Sequence, residues 1–258
     1  MYKNMVDLTG KVAVITGAAK NIGFASATAL GEVGAHVVIT DINPQLGQEA
    51  TDNLTKKGIS ASFKSMDVSN SEEVSRVANE INQEFGRIDV LVANAGICFN
   101  TPGESIPDDE WQKVVDINLN GVYYCNRAFG NHMLNNPDGG RIVNIGSISG
   151  MIAPTPQPQA HYNATKAAVH MLTKSLAQEW AKRNVRVNAV APTYVETDIT
   201  GNILAEHQEW YDVWMGMTPM GRMGKPHEIA SVVLFLASDL SSLMSGSVVV
   251  ADAAYTCW

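Results

Sequence analysis

Lys11-Val-Ala-Val-Ile-Thr16, followed without a break by Gly17-Ala-Ala-Lys20-Asn21-Ile22-Gly23 and Phe24-Ala-Ser-Ala-Thr-Ala-Leu30, decides the fold. The apolar run suits a strand buried on both faces, as in a parallel sheet. A glycine turn follows, and the small-residue run after it predicts a helix. Strand, turn and helix in that order aim free backbone N–H groups at a pyrophosphate. The next apolar run, Ala35-His-Val-Val-Ile-Thr40, ends at Asp41. A carboxylate at that strand tip can accept both ribose hydroxyls of an adenosine.

Outward from this unit, apolar runs alternate with amphipathic stretches to the end of the chain. Strands are expected at 11–16, 35–41, 60–66, 88–93, 140–146, 184–191 and 247–251. Helices are expected near 21–33, 44–57, 70–85, 107–135, 159–182 and 226–238. The pattern predicts an α/β fold, a Rossmann-type doubly wound parallel sheet of about seven strands with helices on both faces. No repeat or linker divides it, so 1–258 reads as a single dinucleotide-binding and catalytic domain. The proline-rich stretch Ile152-Ala-Pro-Thr-Pro-Gln-Pro-Gln159 reads as a rigid pocket wall.

Tyr162-Asn-Ala-Thr-Lys166 places a phenol and an ammonium one helical turn apart on one face. A tyrosine ordinarily ionises near pH ~10. A neighbouring lysine favours the phenolate, which makes the pair a proton shuttle.

Composition sets bounds. A chain of 258 residues with 45% hydrophobic and 17% charged residues can build one substantial core. A net charge of −8 without a basic run argues against nucleic acid as partner. The N-terminus lacks a signal-peptide pattern and no window is apolar enough to span a membrane, so a soluble cytoplasmic protein is expected. The three cysteines, Cys98, Cys125 and Cys257, match neither a zinc nor a disulfide spacing, and no metal is expected.

Taken together these residues resemble the short-chain dehydrogenase/reductase family over essentially the whole chain. Besides Thr16-Gly17…Gly23 and Tyr162…Lys166, the matching segments include Asp67-Val68, Asn94-Ala95-Gly96 and Asn118 in Asp116-Ile-Asn-Leu119. Ser147 in Asn144-Ile-Gly-Ser147, Arg186-Val-Asn-Ala-Val190 and the tail from Gly221-Arg222 to Asp239 match as well. The resemblance implies a nicotinamide cofactor and an active site of Asn118, Ser147, Tyr162 and Lys166. Lys166 would also hold the nicotinamide ribose, and Asn118 would anchor a water chain to solvent. Cofactor contacts are implied at Gly17, Lys20, Asn21, Ile22, Gly23, Asp41, Ile42, Asp67, Val68, Asn94, Ala95, Gly96, Tyr162, Lys166, Pro192, Thr193, Val195 and Thr197. Residues 194–222 correspond to a lid over the substrate. They carry Trp210, Tyr211, Trp214, Met215 and Met217, which fit either substrate contact or the buried stripe of a helix. Ser149, Gln157, Trp210 and Trp214 are the candidate substrate residues, with Gln159 and Asn100 as further hydrogen-bonding groups. Motif alignment assigns the substrate oxygen to Ser147. Ser149 competes, because it sits at the family's usual distance from Tyr162, and either serine could be a strand-end cap. His161 adjoins Tyr162 but points about a quarter-turn away, so it is expected at the pocket edge or in solvent. Cys98 reads as a small apolar side chain bordering the pocket.

The chain departs from the family pattern at three places. Asn21 replaces the second glycine of the loop, and asparagine tolerates left-handed backbone angles. Thr193 stands where glycine is usual and could crowd the nicotinamide. Ala253-Ala254 replace a glycine pair and add two methyl groups at a tight site.

The resemblance looks closest to the polyol dehydrogenase/ketose reductase branch, through Ser147-Ile-Ser-Gly150, Pro156-Gln-Pro-Gln159 and the Tyr255…Trp258 ending. The expected reaction is hydride transfer between NAD(H) and a polyol/ketose pair. Alternatives are a carbonyl or 3-oxoacyl thioester reductase using NADP(H), and a non-enzymatic dinucleotide-sensing protein. NAD is expected over NADP, because Asp41 repels a 2′-phosphate more than the flexible Lys20 attracts it. Self-association as a dimer or tetramer is expected through 107–135 and 159–182, with the aromatic tail against a neighbour.

Overall fold

In the computed structural model, which describes residues 1–257, the strand runs align into one seven-stranded sheet. They are β1 (Val12–Thr16), β2 (His36–Asp41), β3 (Ala61–Ser65), β4 (Val90–Ala93), β5 (Gly140–Ile145), β6 (Val185–Pro192) and β7 (Val248–Ala251). Their spatial order is β3-β2-β1-β4-β5-β6-β7, with every pairing parallel. Ala13 lies level with Val37 of β2 on one side and Val90 of β4 on the other. The order therefore reverses at β1, and a crevice opens there beyond the strand ends.

Alternating side chains of β1 feed two cores. Ala13 and Ile15 pack with Leu30, Val233 and Leu236 from α2 (Asn21–Glu32) and α10 (Pro226–Ala237). Val12 and Val14 pack on the other face with Val77, Phe129 and Trp180. Those three come from α4 (Ser71–Phe85), α6 (Gly121–Leu134) and α7 (Ala160–Trp180). A short α1 (Tyr2–Met5) precedes the sheet, and α3 (Pro44–Lys56) joins β2 to β3. No helix among the described residues is long and apolar enough to cross a membrane.

Two expectations are corrected. The stretch 107–135 is not one regular helix: α5 (Asp108–Val115) meets α6 through a π turn at Asp116–Asn120 that buries Asn118. Such turns insert one extra residue and re-aim side chains. The aromatic tail does not reach outward at Tyr255. That ring is 2% exposed and packs edge-on to Tyr194 at 5.5 Å within its own chain; Trp258 lies outside the described residues. Residues 194–222 fold as α8 (Asp198–Glu206) and α9 (Trp210–Gly216), seated on a cluster of Ile148, Tyr194, Trp214, Met223 and Tyr255.

Ala253 and Ala254 adopt φ of 53° and 66°, the left-handed region. Asp252 holds this turn, accepting the Ala254 N–H at 3.0 Å and the Thr256 N–H at 2.8 Å. The missing glycines thus carry a backbone cost, since both alanines hold the left-handed angle. A left-handed alanine costs roughly 1 kcal/mol relative to glycine, partly offset by the unfolded-state entropy of glycine. Ala253→Gly and Ala254→Gly should each raise unfolding free energy by about 0.5–1 kcal/mol. Urea unfolding at fixed protein concentration checks this, and a lowered midpoint would contradict it.

Candidate active site

The turn after β1 is tight enough to exclude side chains. A Cβ on Gly17 (φ +60°) would come within 2.9 Å of Ala95 Cα, and one on Gly23 within 2.5 Å of the Gly17 carbonyl. Asn21 takes the left-handed angle expected of it, φ 54°. Among the described residues no side chain caps α2, so its first N–H groups face the crevice. This crevice is a cleft of about 440 Å³. Every expected cofactor residue lines it except Gly23, whose lack of a side chain instead lets α2 lie against the turn.

The residues fit a nicotinamide dinucleotide. An uncapped helix end sits at the middle of the cleft, with Asp41 towards one end and Tyr162, Lys166 and Thr193 towards the other. Asp41 is braced by the N–H groups of Ala19 at 3.2 Å and Asn43 at 3.0 Å. The Thr193 hydroxyl is buried and finds no partner among the described residues. Lys20 is drawn to Asp198 of α8, 3.3 Å away.

At the inner end, α7 and the end of β5 bring the expected acid–base residues together. Lys166 is 3% exposed, its Nζ donating to the Ile145 carbonyl at 2.8 Å and lying 5.5 Å from the Tyr162 ring centroid. The expectation that Lys166 lowers the phenol's pKa does not hold in this geometry. Burial pushes Tyr162 upward, with a lesser opposing pull from the Ser147 hydroxyl. Nζ is committed to a carbonyl and lies over the ring, and burial lowers Lys166 itself to about 8. Ser147 borders both the cleft and a smaller inner pocket. Ser149 borders the inner pocket only and accepts from Gln159 at 3.0 Å. Asn118 stands behind the wall, its amide paired twice with the Ile97 main chain at 2.9 and 2.8 Å.

The inner pocket is walled by Ser147, Ser149, Pro154, Gln157, Gln159, Tyr162, Thr193, Tyr194 and Trp214, among others. Gln157 is a brace rather than a free donor: it donates to the Tyr194 hydroxyl at 2.8 Å and accepts from Trp214 Nε1 at 2.9 Å. Tyr194 and Trp214 stack at 4.1 Å, and Trp214 is fully buried. Trp210 does not line the pocket; its ring stacks on His207 at 4.0 Å. Sequence reasoning missed Tyr194, although an aromatic directly after the strand-ending Pro192-Thr193 pair points towards the crevice. His161 is neither at the pocket edge nor in solvent but 0% exposed. Burial pushes the Cys98 thiol up to about 12. Among the described residues no group of three or more His, Cys, Asp or Glu could hold a metal ion.

A family model described as enoyl-(acyl carrier protein) reductase matches residues 17–256. A galactitol 2-dehydrogenase of Rhizobium johnstonii is 43% identical over 100% of this chain and 99% of that protein. A sorbose reductase of Candida albicans is 41% identical over 98% of this chain and 90% of that protein. The solved gluconate 5-dehydrogenase of Burkholderia cenocepacia, in complex with NADP and tartrate, is 32% identical. It superposes with a TM-score of 0.94 over 100% of both chains. The chain belongs to the short-chain dehydrogenase/reductase family, and it is a pyridine-nucleotide-dependent oxidoreductase of secondary alcohols and ketones.

The buried ammonium has a consequence for stability. Lys166 binds its proton less tightly folded (about 8) than unfolded (10.5), so its burial penalty is full below pH 8. Between these values the unfolded chain holds more protons and stability rises with pH. Lys166→Met should therefore be the more stable protein at pH 7, with the gap closing as pH rises from about 8 towards 10.5. Urea midpoints across that range test it; a pH-independent gap would contradict it.

Proposed function

We propose that this protein interconverts a polyol and its ketose with NAD(H). The observation that carries the reading is the meeting of Ser147, Tyr162 and Lys166 where the cleft borders a smaller, largely apolar pocket that carries the hydroxyls of Ser147, Ser149 and Thr193 in its wall. When bound, the nicotinamide supplies the hydride chemistry. Tyr162 gives its proton to the carbonyl oxygen in reduction and takes it from the hydroxyl in oxidation. Ser147 holds the reacting oxygen and stabilises its developing charge. Lys166 anchors the nicotinamide ribose, and Asn118 supports the site from behind by holding the Ile97 main chain. Ser149 offers its O–H to a further substrate hydroxyl, and Gln159 holds Ser149 in place. The galactitol and sorbose relatives support a polyhydroxylated substrate. The acyl-carrier wording of the family model favours a thioester reductase as second reading, against which stands the net charge of −8.

NAD is preferred over NADP because the two residues that decide are unequally placed. Asp41 is fixed by two backbone N–H groups at the tip of β2, where its carboxylate would meet the adenosine ribose, whereas Lys20 is drawn to Asp198. Self-association as a dimer or tetramer is supported by Trp111, Tyr123 and Met171, exposed at 43%, 40% and 60% on α5, α6 and α7.

Tyr162→Phe should retain cofactor binding while losing about 10²–10⁴ in kcat on a polyol panel. More than about a tenth of wild-type kcat remaining would assign the proton transfer elsewhere. NAD should exceed NADP by at least about tenfold in kcat/KM, roughly 1.4 kcal/mol. Asp41→Ala should erode that ratio, and Asp41→Ala with Ile42→Arg should reverse it; equal use of both cofactors by the unmodified protein would refute the assignment.

A further inference from the structure

Both ring nitrogens of the buried His161 are engaged. Nδ1 accepts the backbone N–H of Tyr162 at 3.0 Å, and Nε2 lies 3.0 Å from Glu110 Oε1 on α5. A backbone N–H can only donate, so Nδ1 carries a lone pair. An ionised carboxylate only accepts, so Nε2 carries the proton. The two partners select the same neutral tautomer.

The first N–H groups of a helix lack intrahelical acceptors. In α7 the usual remedy is missing. Among the described residues Gln159 at the N-cap gives no side-chain cap, because its amide is turned to Ser149 and Asn163 at 3.0 and 2.8 Å. The helix's first main-chain bond runs from Asn163 N–H to the Gln159 carbonyl at 3.0 Å, which leaves the Tyr162 N–H to another acceptor. His161 supplies it.

We propose that Glu110 and His161 form a positioning pair for the proton-transfer tyrosine. The carboxylate fixes the imidazole, the imidazole fixes the Tyr162 backbone, and the phenol is thereby held at the reacting oxygen. Any buried imidazole must satisfy both nitrogens; what marks this one is that the group held by Nδ1 is the backbone N–H of Tyr162 itself. The proposal rests on Tyr162 as the proton-transfer group, and its test separates the two.

In full-length protein with ¹⁵N-labelled histidine, the resonance absent from His161→Phe should report the Nε2–H tautomer at neutral pH. Protonation at Nδ1 would overturn the proposal whatever the substrate. With a secondary alcohol that the wild type oxidises, Glu110→Ala and His161→Phe should lose about tenfold or more in kcat. A displacement of about 1 Å can cost on the order of 10² in rate. KM for NAD should change far less than kcat, since among the described residues Tyr162 is the only cleft residue that His161 bonds directly and the remaining cleft lining is left in place. Glu110→Gln still accepts from Nε2–H and should recover kcat to within about threefold of wild type. A lowered melting temperature with unchanged kcat in Glu110→Ala would show packing alone and overturn the pair; so would equal loss in Glu110→Gln and Glu110→Ala. Full turnover by Tyr162→Phe would sink the underlying reading and the kinetic role with it, while the tautomer result would still stand, so the two failures are told apart.

Discussion

The carboxyl ends of β1 and β4 approach so closely that the rest of the cleft follows from their contact. The Thr16 hydroxyl receives the N–H groups of Asn94 and Ala95, both at 3.0 Å. In return the Asn94 amide donates to the carbonyls of Thr16 and Gly17, both at 2.9 Å. These four bonds satisfy main-chain groups that the sheet leaves unpaired where its strands part. They also fix the turn from which α2 departs, and with it the direction of the N–H groups facing the cleft. Asn94 therefore lines the cleft with both of its amide N–H groups already spent on the fold.

The same strands are fastened at their opposite ends. Asp89, with a side chain only 4% exposed, accepts the Val12 N–H at 2.9 Å and two bonds from Arg87 at 2.8 and 2.6 Å. Lys11 and Arg87 continue to Asp138 at 3.2 and 2.9 Å, just before β5. A charge taken out of water needs such partners, and removing one would leave the others uncompensated. Further along, the buried Arg186 meets no carboxylate within bonding distance among the described residues. It donates to carbonyls of Leu236, Ser238, Ser241 and Met244 where α10 ends. The Leu236 carbonyl is one that the last turn of α10 leaves unpaired, and the other three belong to the chain that turns away after it. Burial lowers its pKa to about 10.

All seven strands were legible in outline, most of them as unbroken apolar runs that reflect burial on both faces, whereas α8 and α9 were not drawn as helices and the break between α5 and α6 was missed. Glycine and asparagine mark where the chain must turn left-handed, as at Gly17 and Asn21. The i,i+4 pair of Tyr162 and Lys166 was legible from helical period alone. What the sequence hid were relations between distant elements. No local pattern tells that Gln157 will be consumed by Tyr194 and Trp214, or that Glu110 will face His161 from 51 residues away. The sign of the Tyr162 shift was hidden too. Spacing reports that a lysine is near, but only three-dimensional packing reports that its ammonium is directed at the Ile145 carbonyl and that burial dominates.

The three thiols occupy three different environments, and that makes the chain chemically addressable at one point. Cys98 and Cys125 are each pushed up to about 12 by burial, so at neutral pH almost none of either exists as the reactive thiolate. Cys257 alone among them is exposed. An alkylating probe under mild conditions would thus mark the end of the tail and spare the pocket. The chain carries a ready handle for immobilisation or a fluorophore, two residues beyond the buried Tyr255 ring that packs against Tyr194.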